Sequence, residues 1–237
     1  VYAGVAINYP LYGTLALTMN YMDYGDEAVT TVSSPEGTGE FYSASEFAAS
    51  VSYGRRIVNW FSFGASAKYI SSNIWHMSAN AIAFDLGVLV TTDFFSPTGK
   101  RNQGMKIGMS ISNYGTRLRY DGMDLLVPID PNPNEYGNFD DVEGLYNTSE
   151  WELPLIFRLG FSVQPIYTNN LRLLVAADAL HPNNNNESIN IGTQLTYLQP
   201  GKLNLYLRGG YKGLFLKDSE YGLTYGCLLY TSPSPRD

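Results

Sequence analysis

The stretch SINIGTQLTYL, residues 188–198, alternates side chains of two kinds along the chain. Its odd positions are mostly apolar and include Ile189, Ile191 and Leu195, whereas its even positions from Ser188 to Thr196 are all polar or small. Because successive side chains of a β-strand point to opposite faces, this pattern predicts a strand with one apolar face and one polar face. The composition agrees, since 14% aromatic residues, 19 tyrosines and 23 glycines favour strands and turns over helices.

The same alternation recurs along the whole chain. It predicts strands near residues 1–9, 13–24, 44–54, 60–70, 77–91, 104–113, 116–120, 153–163, 171–180, 188–198 and 203–212, with a partial strand at 219–226. The segment 116–120 is expected to extend its predecessor past a glycine kink. Short connections take turns with longer or more polar ones, an order typical of an up-and-down meander. We therefore predict an all-β, antiparallel up-and-down fold with about 11 to 12 strands represented.

Alternation alone is compatible with a soluble sandwich or a soluble ligand-binding β-barrel whose apolar face points inward. Two features favour a transmembrane β-barrel. The polar face consists largely of Gly, Ser, Asn and Ala with isolated charges of both signs, which suits a crowded lumen. Aromatic residues also gather near strand ends, where membrane barrels carry their interfacial girdles. These residues are Tyr9, Tyr12, Tyr21, Tyr24, Tyr53, Trp60, Tyr167, Tyr197 and Tyr211.

Charged residues within the strands fall on the polar, lumen-facing side of the pattern. They are Glu46, Lys68, Asp85, Lys106, Arg158, Arg172, Asp178 and Arg208. A charge on the lipid face would cost about 2 to 4 kcal/mol near the bilayer midplane, so this placement supports the predicted register. We favour a network of ion pairs that fills the lumen, because buried charges need partners. The alternative is a polar constriction or substrate path, and a cation close to Asp85 and Asp178 would support the ion-pair interpretation.

The long connection from Tyr114 to Glu152 is acidic. It carries nine Asp or Glu residues and no Lys or Arg after Arg119. The candidate outer-loop residues are Asp130, Glu135, Asp140, Asp141 and Glu143. Glu135 stands where a calcium-binding loop requires glycine, and prolines intervene, so no metal is predicted. The segment is expected to be a solvated outer loop, with a lid or a docking surface for a secreted partner as the functional alternative.

Several classes of function are disfavoured. The net charge of −7 and the scattered Lys and Arg residues argue against a nucleic-acid partner. Two histidines and one cysteine are too few for a zinc site. The sequence contains no G-x-S-x-G elbow, no phosphate-cradling glycine loop and no redox motif, so we expect neither an enzyme nor a cofactor.

An ordered set of strand sequences resembles the PorV/PorQ family of outer-membrane proteins, which are relatives of FadL-type fatty-acid transporters. The set spans about residues 44–226 and comprises FSFGASAKYI, FDLGVLV, GMSISNYG, LPLIFRLGFSV, LRLLVAADA, ESINIGTQ and LRGGYK. The resemblance implies a FadL-like barrel of about fourteen strands, surrounded by lipid in the outer membrane of a Gram-negative bacterium. It implies either binding and shuttling of secreted cargo proteins for type IX secretion, or transport of hydrophobic small molecules such as fatty acids.

The chain departs from that family at three places. The amino-terminal Asn-Pro-Ala segment and the closing strand are missing, and Gln194 stands where a glutamate is expected. Residues 1–226 are therefore expected to be a partial outer-membrane β-barrel. The final segment, residues 227–237, resembles an in-frame translation of the mosaic-end adapter used in transposase-based sequencing libraries. We expect it to be a non-native tail that begins where strand alternation breaks at Cys227, with a natural disordered Pro/Ser tail as the alternative.

Overall fold

The computed structural model describes residues 1–130, 142–199, 203–216 and 222–231, and these residues fold mainly into β-strands. The strands are β1 (Tyr2–Tyr9), β2 (Gly13–Ala28), β3 (Phe41–Val58), β4 (Phe61–Ile74), β5 (Met77–Thr91), β6 (Lys106–Gly115), β7 (Asp121–Gly122), β8 (Leu126–Ile129), β9 (Val142–Leu145), β10 (Ile156–Tyr167), β11 (Leu171–Pro182), β12 (Ser188–Gln199), β13 (Leu203–Leu214) and β14 (Leu223–Thr231). Two short 3₁₀ turns occupy Arg101–Gln103 and Met123–Leu125.

Eleven of these strands lie side by side in the order β1-β2-β3-β4-β5-β6-β10-β11-β12-β13-β14, and β7 adds a short twelfth strand against β5. Every pairing is antiparallel. The prediction of an all-β, antiparallel up-and-down fold is therefore confirmed. Alternation locates strands well, since β5 has the predicted bounds and β11 and β12 differ from prediction by a residue or two.

The two ends of the sheet differ in their connections. At one end β1–β2, β3–β4 and β10–β11 are joined by brief turns, and β12 and β13 are separated by three residues in the sequence; we call this the short-turn end, although residues 92–105 also connect β5 to β6 there. At the opposite end, the loop end, the β6–β10 connection alone contains forty residues, numbered 116–155. The loop end also has one tight turn, because Trp75 and His76 alone separate β4 from β5.

The sheet is curved around its polar face. One groove of about 640 Å³ on that face touches seven strands, β2 to β6, β10 and β11, from Thr14 to Asp178. Seven neighbouring strands laid flat would extend over about 29 Å, because adjacent strands lie about 4.8 Å apart. A single groove can reach all of them only if the sheet bends toward it, so the polar face is the concave one.

Residues 116–120 do not continue β6 as a strand, so that prediction is wrong. The chain leaves β6 after Gly115, and Leu118 instead forms an isolated bridge with Trp151. Leu118 and Leu153 are only 7% and 6% exposed, because they pack on three alanines of the concave face. Those alanines are Ala79, Ala81 and Ala83. Apolar contact with the sheet, rather than pairing along its edge, explains the alternation seen in this segment.

The acidic connection contains a hairpin that the sequence did not predict. Strands β8 and β9 pair only with each other, from Leu126 opposite Leu145 to Ile129 opposite Val142. Pro128 lies within β8, and proline in so short a run argues against a strand in the sequence pattern. The hairpin forms its own two-stranded sheet, separate from the main one.

Strand β14 continues through Cys227, which lies opposite Leu207 of β13. The strand therefore extends past the point at which the alternation of the sequence breaks. Residues 232–237, which hold the Ser-Pro repeat, lie outside the described residues, and the adapter origin of residues 227–237 stays a prediction. The described part of the chain contains no helix long and apolar enough to cross a membrane.

Candidate functional site

Cross-strand pairing places all eight charged residues named from the sequence on the concave face. Directly opposed residues in an antiparallel pair point to the same side of the sheet. Arg158 lies opposite Ser110, and Asp178 lies opposite Gly160. The same reasoning, followed from β3 to β13, places the other charged residues on this face, from Glu46 of β3 to Arg208 of β13.

The 640 Å³ groove lies in the middle of this face. Three charged side chains line it, namely Asp85, Arg158 and Asp178. The other concave-face positions around it are mainly small, and they include Ala16, Ser52, Ser62, Gly64, Ser66, Gly87, Gly108, Ser110, Ser112 and Gly160. Small side chains on seven strands leave open volume where larger ones would fill the concavity.

One of the charged pairs in this region is fully formed. Lys68 Nζ lies 2.7 Å from Asp85 Oδ1 and also donates a hydrogen bond to Asn113 Oδ1. The backbone N–H of Asn113 donates to Asp85 Oδ1 at 2.8 Å. Asp85 therefore accepts from both Lys68 and Asn113, as the ion-pair interpretation requires.

The charged side chains of Asp178, Arg158 and Lys106 do not form ion pairs of this kind with the described residues. Among the described residues, no Lys or Arg lies within ion-pair distance of Asp178, and neither Arg158 nor Lys106 has an acidic partner. An added Cβ at Gly160 would lie 2.4 Å from Asp178 Oδ1, so the carboxylate rests over β10 in space that this glycine leaves open. Among the described residues, the concave face therefore has one ion pair, at Asp85, and an unpaired carboxylate, at Asp178, so the ion-pair interpretation holds for the first residue and not for the second.

Glu46 lies toward the loop end of the same face. It lies directly opposite Ser72 of β4. Nearby, the Ser72 hydroxyl lies 2.8 Å from the hydroxyl of Tyr120, a residue of the β6–β10 connection. Glu46 thus borders the region that the connection covers and does not line the open groove.

Arg172 and Arg208 lie toward the short-turn end. Arg208 Nε donates to Gln194 Oε1 at 2.8 Å, and Gln194 Nε2 donates to Thr196 Oγ1 at 3.1 Å. The Arg172 guanidinium lies 4.5 Å from the centre of the Tyr167 ring. No carboxylate of the described residues pairs with either arginine.

The convex face is apolar and uncovered. Ile82, Phe84 and Leu86 of the central strand β5 are 51%, 52% and 52% exposed. At the short-turn end the exposed aromatic residues form a row, which consists of Tyr9, Tyr12, Tyr53, Trp60 and Tyr197. The Tyr53 hydroxyl donates to the Tyr12 carbonyl and so ties the β1–β2 turn to β3. Exposed apolar area on this scale marks a surface that meets lipid or another protein.

The acidic-loop residues are only partly described. Asp130 follows β8, and Glu143 lies in β9 opposite Pro128. Glu135, Asp140 and Asp141 lie outside the described residues. Within the ranges that the structure describes, no group of three His, Cys, Asp or Glu side chains is placed to hold a metal ion.

Both histidines contact a carboxylate. His76 Nδ1 lies 2.9 Å from Asp124, and the backbone N–H of His76 donates to the same carboxylate at 3.1 Å. His181 Nδ1 lies 3.0 Å from Glu187. Sequence reasoning did not find these pairs, because Asp124 lies 48 residues beyond His76 and only the fold brings the two together.

No protein-family model and no curated protein matches the chain. Among solved structures, the chain is similar to the toluene transporter TodX of Pseudomonas putida, with 9% identity and a TM-score of 0.48 over 95% of this chain and 72% of that one. It is also similar to the translocator domain of the autotransporter NalP from Neisseria meningitidis, with 14% identity and a TM-score of 0.37 over 96% of this chain and 76% of that one.

Proposed function

We propose that this protein is a β-barrel of the bacterial outer membrane that passes small hydrophobic or amphiphilic molecules along its concave face. The observation that carries the proposal is the arrangement of the sheet: an uncovered apolar convex face lies opposite a polar concave face with an open groove. Membrane barrels direct their apolar side chains outward to lipid and their polar ones into the lumen, whereas soluble barrels do the reverse.

The groove suits a ligand with an apolar body and a polar end. Its glycines, alanines and Leu89 offer carbon surface, and Arg158 and Asp178 add charged groups that no side chain of the described residues neutralises. Ligand sites in proteins combine mainly apolar walls with a few placed polar groups. The resemblance to relatives of FadL-type transporters points to the same class of substrate.

Uptake by proteoliposomes tests this proposal. The protein is reconstituted into phosphatidylcholine vesicles, and oleate entry is followed with a fluorescent fatty-acid-binding protein trapped inside. Ser110→Phe would fill the groove from β6, whereas Ile111→Phe adds the same ring on the convex face and serves as the control. We expect uptake to fall about fivefold in Ser110→Phe and to persist in Ile111→Phe. Uptake equal to that of empty vesicles would refute oleate as a substrate, and equal uptake by both variants would refute passage through the groove.

A second candidate function is binding of secreted cargo, as the PorV/PorQ resemblance implies. The hairpin β8–β9 favours it, because this two-stranded sheet exposes apolar side chains within an acidic segment. These side chains are Leu126, Val127, Ile129, Val142 and Leu145. Isolated two-stranded hairpins are marginally stable in water, so a docked partner would stabilise this one.

Capture of a secreted carboxy-terminal signal domain tests the cargo role. The full chain is immobilised in detergent, and retention of the purified signal domain is compared with retention by Ile129→Ser and Val142→Ser variants. We expect retention by the wild type and its loss in both variants. Equal retention by wild type and variants would assign binding to another surface, and no retention by the wild type would exclude this role for the chain.

A further inference from the structure

A small pocket lies at the short-turn end of the concave face, apart from the central groove. Its volume is about 190 Å³, and it is more enclosed than the central groove. The polar residues that line it are Gln164, Arg172, Gln194, Thr196 and Tyr206, and its other lining residues are leucines. A water occupies about 30 Å³, so the pocket has room for a small oxyanion and a few waters.

The Arg172 side chain has an unmet hydrogen-bond donor in this pocket. Its Nε is buried and has no hydrogen-bond partner. Tyr167 covers the guanidinium at 4.5 Å, but an aromatic ring attracts the charge without accepting these N–H groups in a normal hydrogen bond. Buried polar groups nearly always have partners, so an orphaned guanidinium N–H indicates a missing acceptor.

The neighbouring Thr196 hydroxyl is placed to donate a hydrogen bond. An arginine N–H can bond only an acceptor, so the contact from Arg208 Nε identifies the bonded atom of Gln194 as its oxygen. The Gln194 amide nitrogen then faces Thr196 Oγ1, which accepts its hydrogen. The Thr196 hydroxyl keeps its own hydrogen to donate, and this residue is 7% exposed.

The pocket also lacks negative charge. None of its lining residues carries a carboxylate, and the second arginine, Arg208, lies one strand away with only the neutral Gln194 as its side-chain partner. Neither guanidinium has a carboxylate of the described residues within ion-pair distance, so the two create a positive local potential. A planar guanidinium matches carboxylate and phosphate oxygens in geometry and forms charge-assisted bonds with them.

We propose that this pocket binds the oxyanion group of a small molecule, with Arg172 as the main ligand and Thr196 and Tyr206 as additional donors. The oxyanion supplies the acceptor that Arg172 lacks. Binding here is separate from passage through the central groove, because Arg172 does not line that groove. The oxyanion can belong to a free solute, such as phosphate, or to the head of an amphiphile, such as a fatty acid.

Gln194→Glu is the decisive variant. It places a carboxylate between Arg172 and Arg208 with almost no change in shape, so the protein would supply its own anion. We expect a higher thermal unfolding midpoint and about tenfold weaker binding of added oxyanion. Arg172→Gln removes the main ligand and should weaken binding by a similar factor. Arg55→Gln removes the same charge from a convex-face position at the short-turn end and should leave binding unchanged.

Calorimetric titration of the full chain in a non-ionic detergent provides the measurement, with chloride holding the ionic strength constant. Inorganic phosphate and octanoate are the probes. Binding of phosphate indicates a free oxyanion, whereas binding of octanoate alone indicates the head of an amphiphile. Either result, with loss in Gln194→Glu and Arg172→Gln and retention in Arg55→Gln, supports the proposal. Absence of binding by both probes, or equal loss in Arg55→Gln, overturns it. Since oleate uptake uses the central groove, it can fail while this site still binds phosphate.

Discussion

Lys68 and Asp85 form an ion pair across β4 and β5, although they do not lie directly opposite each other. Asp85 faces Ser66 and Lys68 faces Ala83, so the 2.7 Å contact runs diagonally across the ladder. The two side chains are 20% and 27% exposed, which shields them partly from solvent. On the same face, Asp178 is exposed and has no cationic partner among the described residues.

The first prediction uses this contrast. Asp85→Asn leaves Lys68 without its anion and weakens the bond from the Asn113 N–H. We expect it to lower the free energy of unfolding by about 1 to 3 kcal/mol in urea titrations of the protein in lipid vesicles. Asp178→Asn makes the same chemical change at the unpaired site and should change that free energy by less than about 0.5 kcal/mol. A larger loss in Asp178→Asn would mean that the carboxylate has a partner in the membrane.

The second prediction concerns the convex face. Leu86→Lys puts a charge where lipid is expected, and we expect it to destabilise the folded protein in bilayers by about 2 to 4 kcal/mol. Ser110→Lys puts the same charge on the concave face and should have a small effect. Folding into vesicles is measured by the shift in gel mobility between unheated and heated samples. In a soluble protein, Leu86→Lys would instead be harmless at a side chain this exposed, and that outcome would contradict the membrane assignment.

The third prediction concerns the end of β6. A Cβ added to Gly115 would lie 2.2 Å from the Ile82 carbonyl oxygen and 2.8 Å from the Ala83 Cα, which are backbone atoms that cannot rotate away. Gly115→Ala should therefore force β5 and β6 apart and cost about 1 to 3 kcal/mol.

Gly64→Ala is the matched control for that change. Its nearest contact would be 3.6 Å, an ordinary van der Waals distance, so stability should be nearly unchanged. Both variants are compared by chemical denaturation. Equal stability of the two would show that the strands separate at Gly115 without cost.

The fourth prediction concerns the packing of the β6–β10 connection. Leu118→Ala removes a buried side chain from the alanine surface of β5, and we expect a loss of about 2 to 4 kcal/mol in the local stability of this connection. Limited proteolysis should then cleave residues 116–155 faster. Leu126→Ala, at an exposed position of the hairpin, should not alter the cleavage rate. Unchanged cleavage of Leu118→Ala would mean that other contacts hold the connection in place.

The strands could be predicted from the sequence because burial on one face imposes a period of two on long segments. Residues 116–120 show the limit of that reasoning, since Leu118 alternates with polar neighbours while it packs on the sheet instead of joining it. The hairpin β8–β9 was missed because four-residue strands that expose both faces have no apolar periodicity to detect.

The candidate site could be predicted only as a set of residues that share a face. The alternation of the sequence places Arg172 and Asp85 on the same face of the sheet, but their ion-pair partners depend on strand register and side-chain direction. Lys68 reaches Asp85 diagonally, and Arg172 lies opposite Thr196, far from any carboxylate of the described residues. The sequence therefore indicated which residues share the concave face, and not which of them remain unpaired.

The three alanines of β5 provide a surface on which part of the β6–β10 connection packs against the concave face. Their small side chains let Leu118 and Leu153 lie close to the sheet at the loop end. If molecules pass along the groove as proposed, exit toward the loop end requires this packed segment to move. Resistance to exchange at that mouth would then rise with the stability of the packing of Leu118 and Leu153 on the sheet.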